Sequence, residues 1–239
     1  MSTSREHINT AEIVGRLGQT PELKRTEDDT PYVRLSIATS DRFTDRAGEI
    51  REHTEWHHGV AWGKQAEEIA QQFQKGDSVA LSGALRINSY EKDGVKNRVT
   101  EVNVAEVRKN LDDAPSKNDA RLVGVVREEP RVREVGPGRS LTVISVATKT
   151  VVNGREREDW HLVNLWGKKA EAARDVKPGD TIAVNGTLRH RTIGGVGEEG
   201  KGRRVSAIEG QKLQVLERAN DLGVAPRIRR AGKNVDRGM

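Results

Sequence analysis

Along residues 32–40, YVRLSIATS, apolar and polar side chains alternate, and Val33, Leu35 and Ile37 fall on one face. A period of two marks a half-buried strand. The stretch SLTVISVAT at 140–148 is dense in β-branched residues and reads the same way. Residues 78–88, SVALSGALRIN, and 181–189, TIAVNGTLR, are apolar β-like runs, each with an interior glycine. Such a glycine marks a bulge or sharp bend, as a small closed barrel requires. After the first of these runs, SYEKDGVKNRVTEVNV carries a turn signal at Asp93-Gly94 between alternating stretches and predicts a hairpin. The period changes in KQAEEIAQQFQKGD, where Ala66, Ile69, Ala70 and Phe73 follow helical spacing and Gly76 is placed to end the helix. KKAEAARDVKPGD is a shorter, poorer version.

These elements occur twice. Val14-Gly15, Pro21 and Ala38-Thr39 recur 109 residues later; Trp56 and Trp62 recur 104 later; Gly76-Asp77, Gly83 and Leu85-Arg86 recur 103 later. The order is kept, which predicts a tandem duplication of one domain of about 105 residues. The shrinking offset is assigned to loops: DRFTDRAGEIREH at 41–53 is longer than its counterpart TVVNGRERE at 150–158. Between the copies NLDDAPSKND is polar, contains Pro115 and lacks periodicity, so it reads as a linker, spanning at most roughly 35 Å. The expected organisation is a first domain at 1–110, a linker at 111–119, a second domain at 120–217 and a tail at 218–239. Several curved strands with a helix before the last pair match an all-β, five-stranded Greek-key barrel of OB type in each copy.

All four tryptophans lie in two matching stretches, EWHHGVAWGK at 55–64 and DWHLVNLWGK at 159–168. On a strand, residues six apart share a face. In the second copy the other face carries Val163 and Leu165, so Trp160 and Trp166 are expected to point outward. In the first copy His57, Gly59 and Ala61 make a weak core face, and parity leaves core tryptophans as an open alternative. Outward indoles, each pair followed two residues on by Lys64 or Lys168, suit stacking on unpaired bases with a cation at the phosphate. Arg86 and Arg189, at repeated positions, are further candidate phosphate ligands.

The net charge of +5 is unevenly placed. From Arg218 onward six basic residues face Asp221 and Asp236, giving +4 and leaving +1 for residues 1–217. This end is read either as a contact for phosphates or as a solvated tail. Zero cysteines exclude disulfides, thiolate nucleophiles and cysteine-ligated zinc. No apolar run approaches a membrane span, and the polar start MSTSREHINT lacks a secretory pattern, so a cytoplasmic location is expected, nucleoid-associated when DNA is bound. No phosphate-binding loop or HExxH occurs, and GGVGEEGKG at 194–202 reads as a loop without dinucleotide spacing; no enzyme and no cofactor is expected. His53, Glu55 and His57 share one face at two-residue spacing, but a metal reading lacks a further ligand.

The run from Ile13 to Val107, through IVGRLGQTPEL, IATSDRF, EWHHGVAWGK, KGDSVALSGALR and TEVNV, resembles the bacterial single-stranded DNA-binding proteins over nearly the whole first domain. Residues 121–216 resemble them more loosely, through LVG, SVAT, DWHLVNLWGK and KPGDTIAVNGTLR. The resemblance implies OB folds that stack bases on four aromatics, matched here by Phe43, Trp56, Trp62 and Tyr90. The second domain keeps Trp160 and Trp166 but has Val152 and Ile193 at the other two positions. It also implies a homodimer carrying four OB domains and a structural role for His57 near a subunit contact. Relatives close on an acidic tip that recruits repair and replication enzymes, whereas this chain closes RIRRAGKNVDRGM. The leading expectation is non-sequence-specific binding and protection of single-stranded DNA in replication, recombination or repair. An OB-fold assembly factor for a primosome or recombination complex, and an RNA-binding chaperone, stay open.

Overall fold

The computed structural model describes residues 6–45, 47–92, 94–110, 114–136, 138–152, 154–193 and 202–219. In the first half the strands are β1 (Ile8–Leu17), β2 (Lys24–Arg25), β3 (Pro31–Thr44) and β4 (Ile50–Trp62), then helix α1 (Gly63–Gln72), β5 (Ser78–Lys92) and β6 (Val95–Lys109). The second half repeats them as β7 (Lys117–Val126), β8 (Arg131–Glu134), β9 (Ser140–Val152), β10 (Arg155–Trp166), α2 (Lys168–Ala172), β11 (Thr181–Ile193) and β12 (Arg203–Glu217). Alternation translates directly into burial: Val33, Leu35 and Ile37 on β3 and Val163 and Leu165 on β10 are all buried in the core.

Each half closes into a five-stranded barrel of OB type. In the first, β1 pairs with β5 and also with β3, at Arg16↔Ala38, and β4 pairs in parallel with β6 at Gly59↔Val102. In the second, β7 pairs with β11 and β9, and β10 runs parallel to β12 at Val163↔Ile208. The interior glycines mark bulges as their positions suggested. The register shifts between Ser82 and Gly83 and between Asn185 and Gly186. A Cβ at Gly83 would sit 2.0 Å from the Asn103 carbonyl oxygen, and one at Gly186 2.3 Å from that of Glu209, so no larger residue allows the strands to approach this closely.

Three details differ from the sequence expectations. Helix α1 ends at Gln72, with Phe73 extended as its C-cap, and Gly76 at φ +90° instead turns the chain into β5, its N–H donating to the Leu17 carbonyl at 2.8 Å. The 41–53 segment is mostly paired strand, not loop: Arg42↔Glu52, Phe43↔Arg51 and Thr44↔Ile50 extend the β3–β4 ribbon beyond the barrel. Residues 117–119, which their composition placed in the linker, already belong to β7. The glycine-rich segment at 194–201 and residues 220–239 of the basic end lie outside the described residues.

The two barrels join through β1 and β7, which pair antiparallel from Ile8↔Val123 to Val14↔Lys117. At the centre Ala11 faces Ala120, its own counterpart in the repeat, so each half meets the other with the same surface. Flanking contacts come in matching pairs. Asn9 closes a two-way bond to the Leu85 backbone, and Asn118 does the same to Leu188.

Candidate nucleic-acid interface

Strand parity sends the repeated tryptophans away from both cores. Phe43, Trp56, Trp62, Tyr90 and Trp160 keep between 38 and 51 % of their surface open, and Trp166 is half-buried. Phe43 stands on the ribbon arm of β3, opposite Arg51; Trp56 and Trp62 stand on β4; Tyr90 stands near the end of the β5–β6 arm. Lys64 lies in the first turn of α1, exposed and 3.6 Å from Glu68, while Lys168 opens α2 and is exposed.

The two halves hold their indoles differently. Trp56 lies on Gly18: a Cβ there would come within 2.4 Å of the ring. The counterpart of Gly18 is Arg127, whose guanidinium is 5.9 Å from the centre of the Trp160 ring and pairs with Glu158, while the Trp160 indole N–H donates to Glu158 Oε1 at 2.6 Å. Trp62 stacks at a tilt on Tyr32, with ring centres 5.4 Å apart. Trp166 instead has Arg139 and Arg191 at 5.4 and 5.8 Å from its ring centre, and its N–H donates to Glu209 at 2.5 Å. Cations over indole faces attract through the ring quadrupole, so a base reaching Trp160 or Trp166 competes with arginines that have no equivalent over Trp56 or Trp62 among the described residues.

Tyr32 was missed as a stacking residue, although it shares the outward parity of the Tyr32–Ser40 stretch. Arg127, Arg139, Arg191 and Glu209 were also missed, because nothing in their local pattern places them beside an indole. Val151 and Ile193 are exposed near the positions that resemblance aligned with Phe43 and Tyr90.

Arg86 and Arg189 are not displayed to solvent as phosphate ligands. Their side chains are 15 % and 24 % exposed and are turned into the opposite barrel. Arg86 bonds Asp159 at 2.5 Å and Thr150 at 2.8 Å; Arg189 bonds Glu55 at 3.3 Å and Asp41 at 3.1 Å. The backbone N–H groups of Ile87 and His190 donate to these same carboxylates, Asp159 and Glu55. The result is a pair of reciprocal ion pairs across the domain junction. Burial alone would raise the Glu55 carboxyl, but the His190 N–H, His53 and Arg189 hold it below the usual glutamate range. Asp159 is likewise held low, Arg86 outweighing burial together with Arg157 and the Ile87 N–H.

His57 is buried, 3.0 Å from the Thr39 hydroxyl, with its ring 5.8 Å from that of His190 of the second domain. Its surroundings are a domain contact. Burial, and after it His190, push its pKa down to about 3; burial likewise takes His190 and His161 to about 4. Among the described residues no group of three or more His, Cys, Asp or Glu is arranged to hold a metal, and His53 contacts Glu55 at 3.3 Å. Among the described residues no helix is long and apolar enough to cross a membrane.

Comparison with known proteins agrees with this geometry. The model of the single-strand binding protein family matches residues 8–109 and again 117–216. The single-stranded DNA-binding protein of Thermus aquaticus is 26 % identical over 97 % of this chain and 94 % of its own length. Single-stranded DNA-binding protein 1 of Chlorobaculum tepidum is 38 % identical over 40 % of this chain and 60 % of its own. The crystal structure of the wild-type Thermus aquaticus protein superposes with a TM-score of 0.72 at 24 % identity, covering 90 % of this chain and 95 % of that one, a likeness of fold. Two matches of one family model to two closed OB barrels leave a single assignment: this chain belongs to the single-strand binding protein family, with two tandem OB domains in one polypeptide.

Proposed function

We propose that the chain binds single-stranded DNA without sequence preference, coating and protecting it during replication, recombination or repair. The observation that carries this reading is the outward display of Phe43, Trp56, Trp62, Tyr90 and Trp160 on two curved barrels. Exposed rings on a folded surface cost solvation, and unpaired bases are flat partners of matching size whatever their sequence. Lys64 and Lys168, exposed beside Trp62 and Trp166, are the phosphate contacts of this reading; Arg86 and Arg189 serve the domain junction instead. The first domain, with four platforms, is the tighter site, and tethering lets the second add avidity on a strand long enough to reach both.

The division into two domains, the first up to residue 110 and the second from Lys117 at the start of β7 to residue 217, with a basic end from 218, a cytoplasmic and nucleoid location, and a homodimer with four barrels belong to the same reading. The dimer is carried by the family resemblance alone, because the β1 and β7 edges already pair with each other within the chain and leave that surface filled. Light scattering that returned a monomer mass would remove the dimer and leave the rest standing.

The central test is a titration with oligo(dT) followed by intrinsic tryptophan emission, with duplex DNA and RNA as competitors. Strong quenching that duplex does not reverse is expected. Unchanged emission would refute the proposal, equal competition by RNA would turn it towards an RNA chaperone, and weak DNA affinity with tight protein partners towards an assembly factor.

A further inference from the structure

We propose that the second barrel binds double-stranded DNA through its phosphates, so that the chain recognises the junction where a single strand meets a duplex. The inference rests on the single-strand reading above and adds a second class of ligand. Charge divides between the halves as the aromatics do, but in the opposite sense. Residues 8–109 carry 15 lysines and arginines against 17 acidic residues, a net −2, whereas residues 117–216 carry 19 against 13, a net +6. The half with fewer stacking rings is the half that attracts a polyanion.

Three of the added cations stand beside the indoles. At the repeat counterparts of Gly18, Thr30 and Asn88 the second half has Arg127, Arg139 and Arg191, all exposed and all within 5.9 Å of the centre of the Trp160 or Trp166 ring. Exposed Lys168, two residues after Trp166, adds a fourth. Leu141 replaces Tyr32, the ring against which Trp62 leans, so one more aromatic is gone from this face. Glu158 and Glu209 hold Arg127 and Arg191 in place, each through one terminal nitrogen. A guanidinium has five N–H donors in a planar fork, so both keep others for phosphate oxygens.

A single strand must push these guanidiniums off the rings before its bases can stack. A duplex keeps its bases stacked inside and offers phosphates, about one charge per 1.7 Å of its axis, so it uses the face as it stands. The first half is the reverse case: among the described residues no guanidinium lies over Trp56 or Trp62, and unpaired bases are its ligand. Pairing of β1 with β7 sets one barrel against the other, which holds a strand on the first and a duplex on the second in a fixed relation. A blunt duplex reaches only the second half and leaves a strand on the first undisturbed.

The test uses the full chain and a labelled oligo(dT) of roughly 15 nucleotides, enough for one OB fold, read by anisotropy alone and as an overhang on a hairpin stem. In at least one of the two overhang polarities the junction should bind about tenfold more tightly than the strand alone, with a salt slope steeper by about two to three. Combining Arg127→Gln, Arg139→Gln and Arg191→Gln should bring the affinity ratio towards one and the two slopes together. Should the triple variant fail to fold, Arg139→Gln alone, at an exposed position between β8 and β9, should remove about one from the slope difference. Equal affinities for junction and strand, or an advantage and slope that the variants retain, would overturn the proposal. A parent chain that fails to bind the strand alone would instead sink the single-strand reading.

Discussion

A single glycine separates the behaviour of two otherwise matched tryptophans. Gly18 gives Trp56 a flat seat, and its replacement by Arg127 in the second domain sets a cation over Trp160 and a carboxylate at its indole N–H. Trp62 likewise stacks on Tyr32, whereas Trp166 is flanked by Arg139 and Arg191. The second domain thus lacks two platforms and spends cations on the two it keeps. Trp56→Ala with Trp62→Ala should therefore weaken oligo(dT) binding by at least about tenfold more than Trp160→Ala with Trp166→Ala, since each stack is worth roughly 1–3 kcal/mol. Equilibrium titrations of the two double variants check the ranking, and the reverse order would defeat the asymmetry.

At the scale of elements, the strands that cross the junction carry charges that face solvent in an isolated barrel and face a second barrel here. Arg86 follows core Leu85 on β5, so alternation correctly turns it outward, but what lies outward is Asp159. Arg86→Ala should cost about 1–3 kcal/mol in unfolding free energy, because buried Asp159 loses its shortest partner and keeps only Arg157 and the Ile87 N–H. It should also leave the salt slope of oligo(dT) binding unchanged, whereas a lost phosphate contact would reduce that slope by about one. Denaturant melts and a salt series decide between the two roles. The same distinction explains what was legible in the sequence. Strands β3, β5, β9 and β11, both helices, the β5–β6 hairpin and the bulge glycines were readable because period and glycine placement are local. Strands β1 and β7 bury alternate positions, but the buried set includes Asn9, Gly15 and Gly124 while Val14, Val123 and Val125 lie on the other face, so residue polarity alone does not show the period. The partners of Arg86, Arg189 and the second pair of tryptophans depend on which barrel lies beyond the strand, which no periodicity encodes.

For the whole molecule, buried ionisable groups at the junction all respond to acid in one direction. His57, His190 and His161 have pKa values of about 3, 4 and 4 when folded, below the ordinary value of 6.5, so the unfolded chain binds protons that the folded one refuses. Stability is then lost as pH falls below about 6.5 towards 4. Glu55 and Asp159, also held low, add their loss as pH drops through the carboxylate range. The melting temperature should fall steadily between pH 7 and pH 4.5 by calorimetry. His190 faces His57, Glu55 and Ser206, and its counterpart in the first domain is Ile87. His190→Ile keeps the backbone N–H to Glu55 and removes one titrating ring, so its melting temperature should fall less steeply with acid; an identical slope would show that this ring does not contribute.

The pairing of Ala11 with Ala120 has a consequence for how the molecule stays together. A patch that recognises its own duplicate needs the intervening peptide only to raise local concentration, not to supply the fit. A protease nick between Asn110 and Ala114 should therefore leave two fragments that travel as one particle.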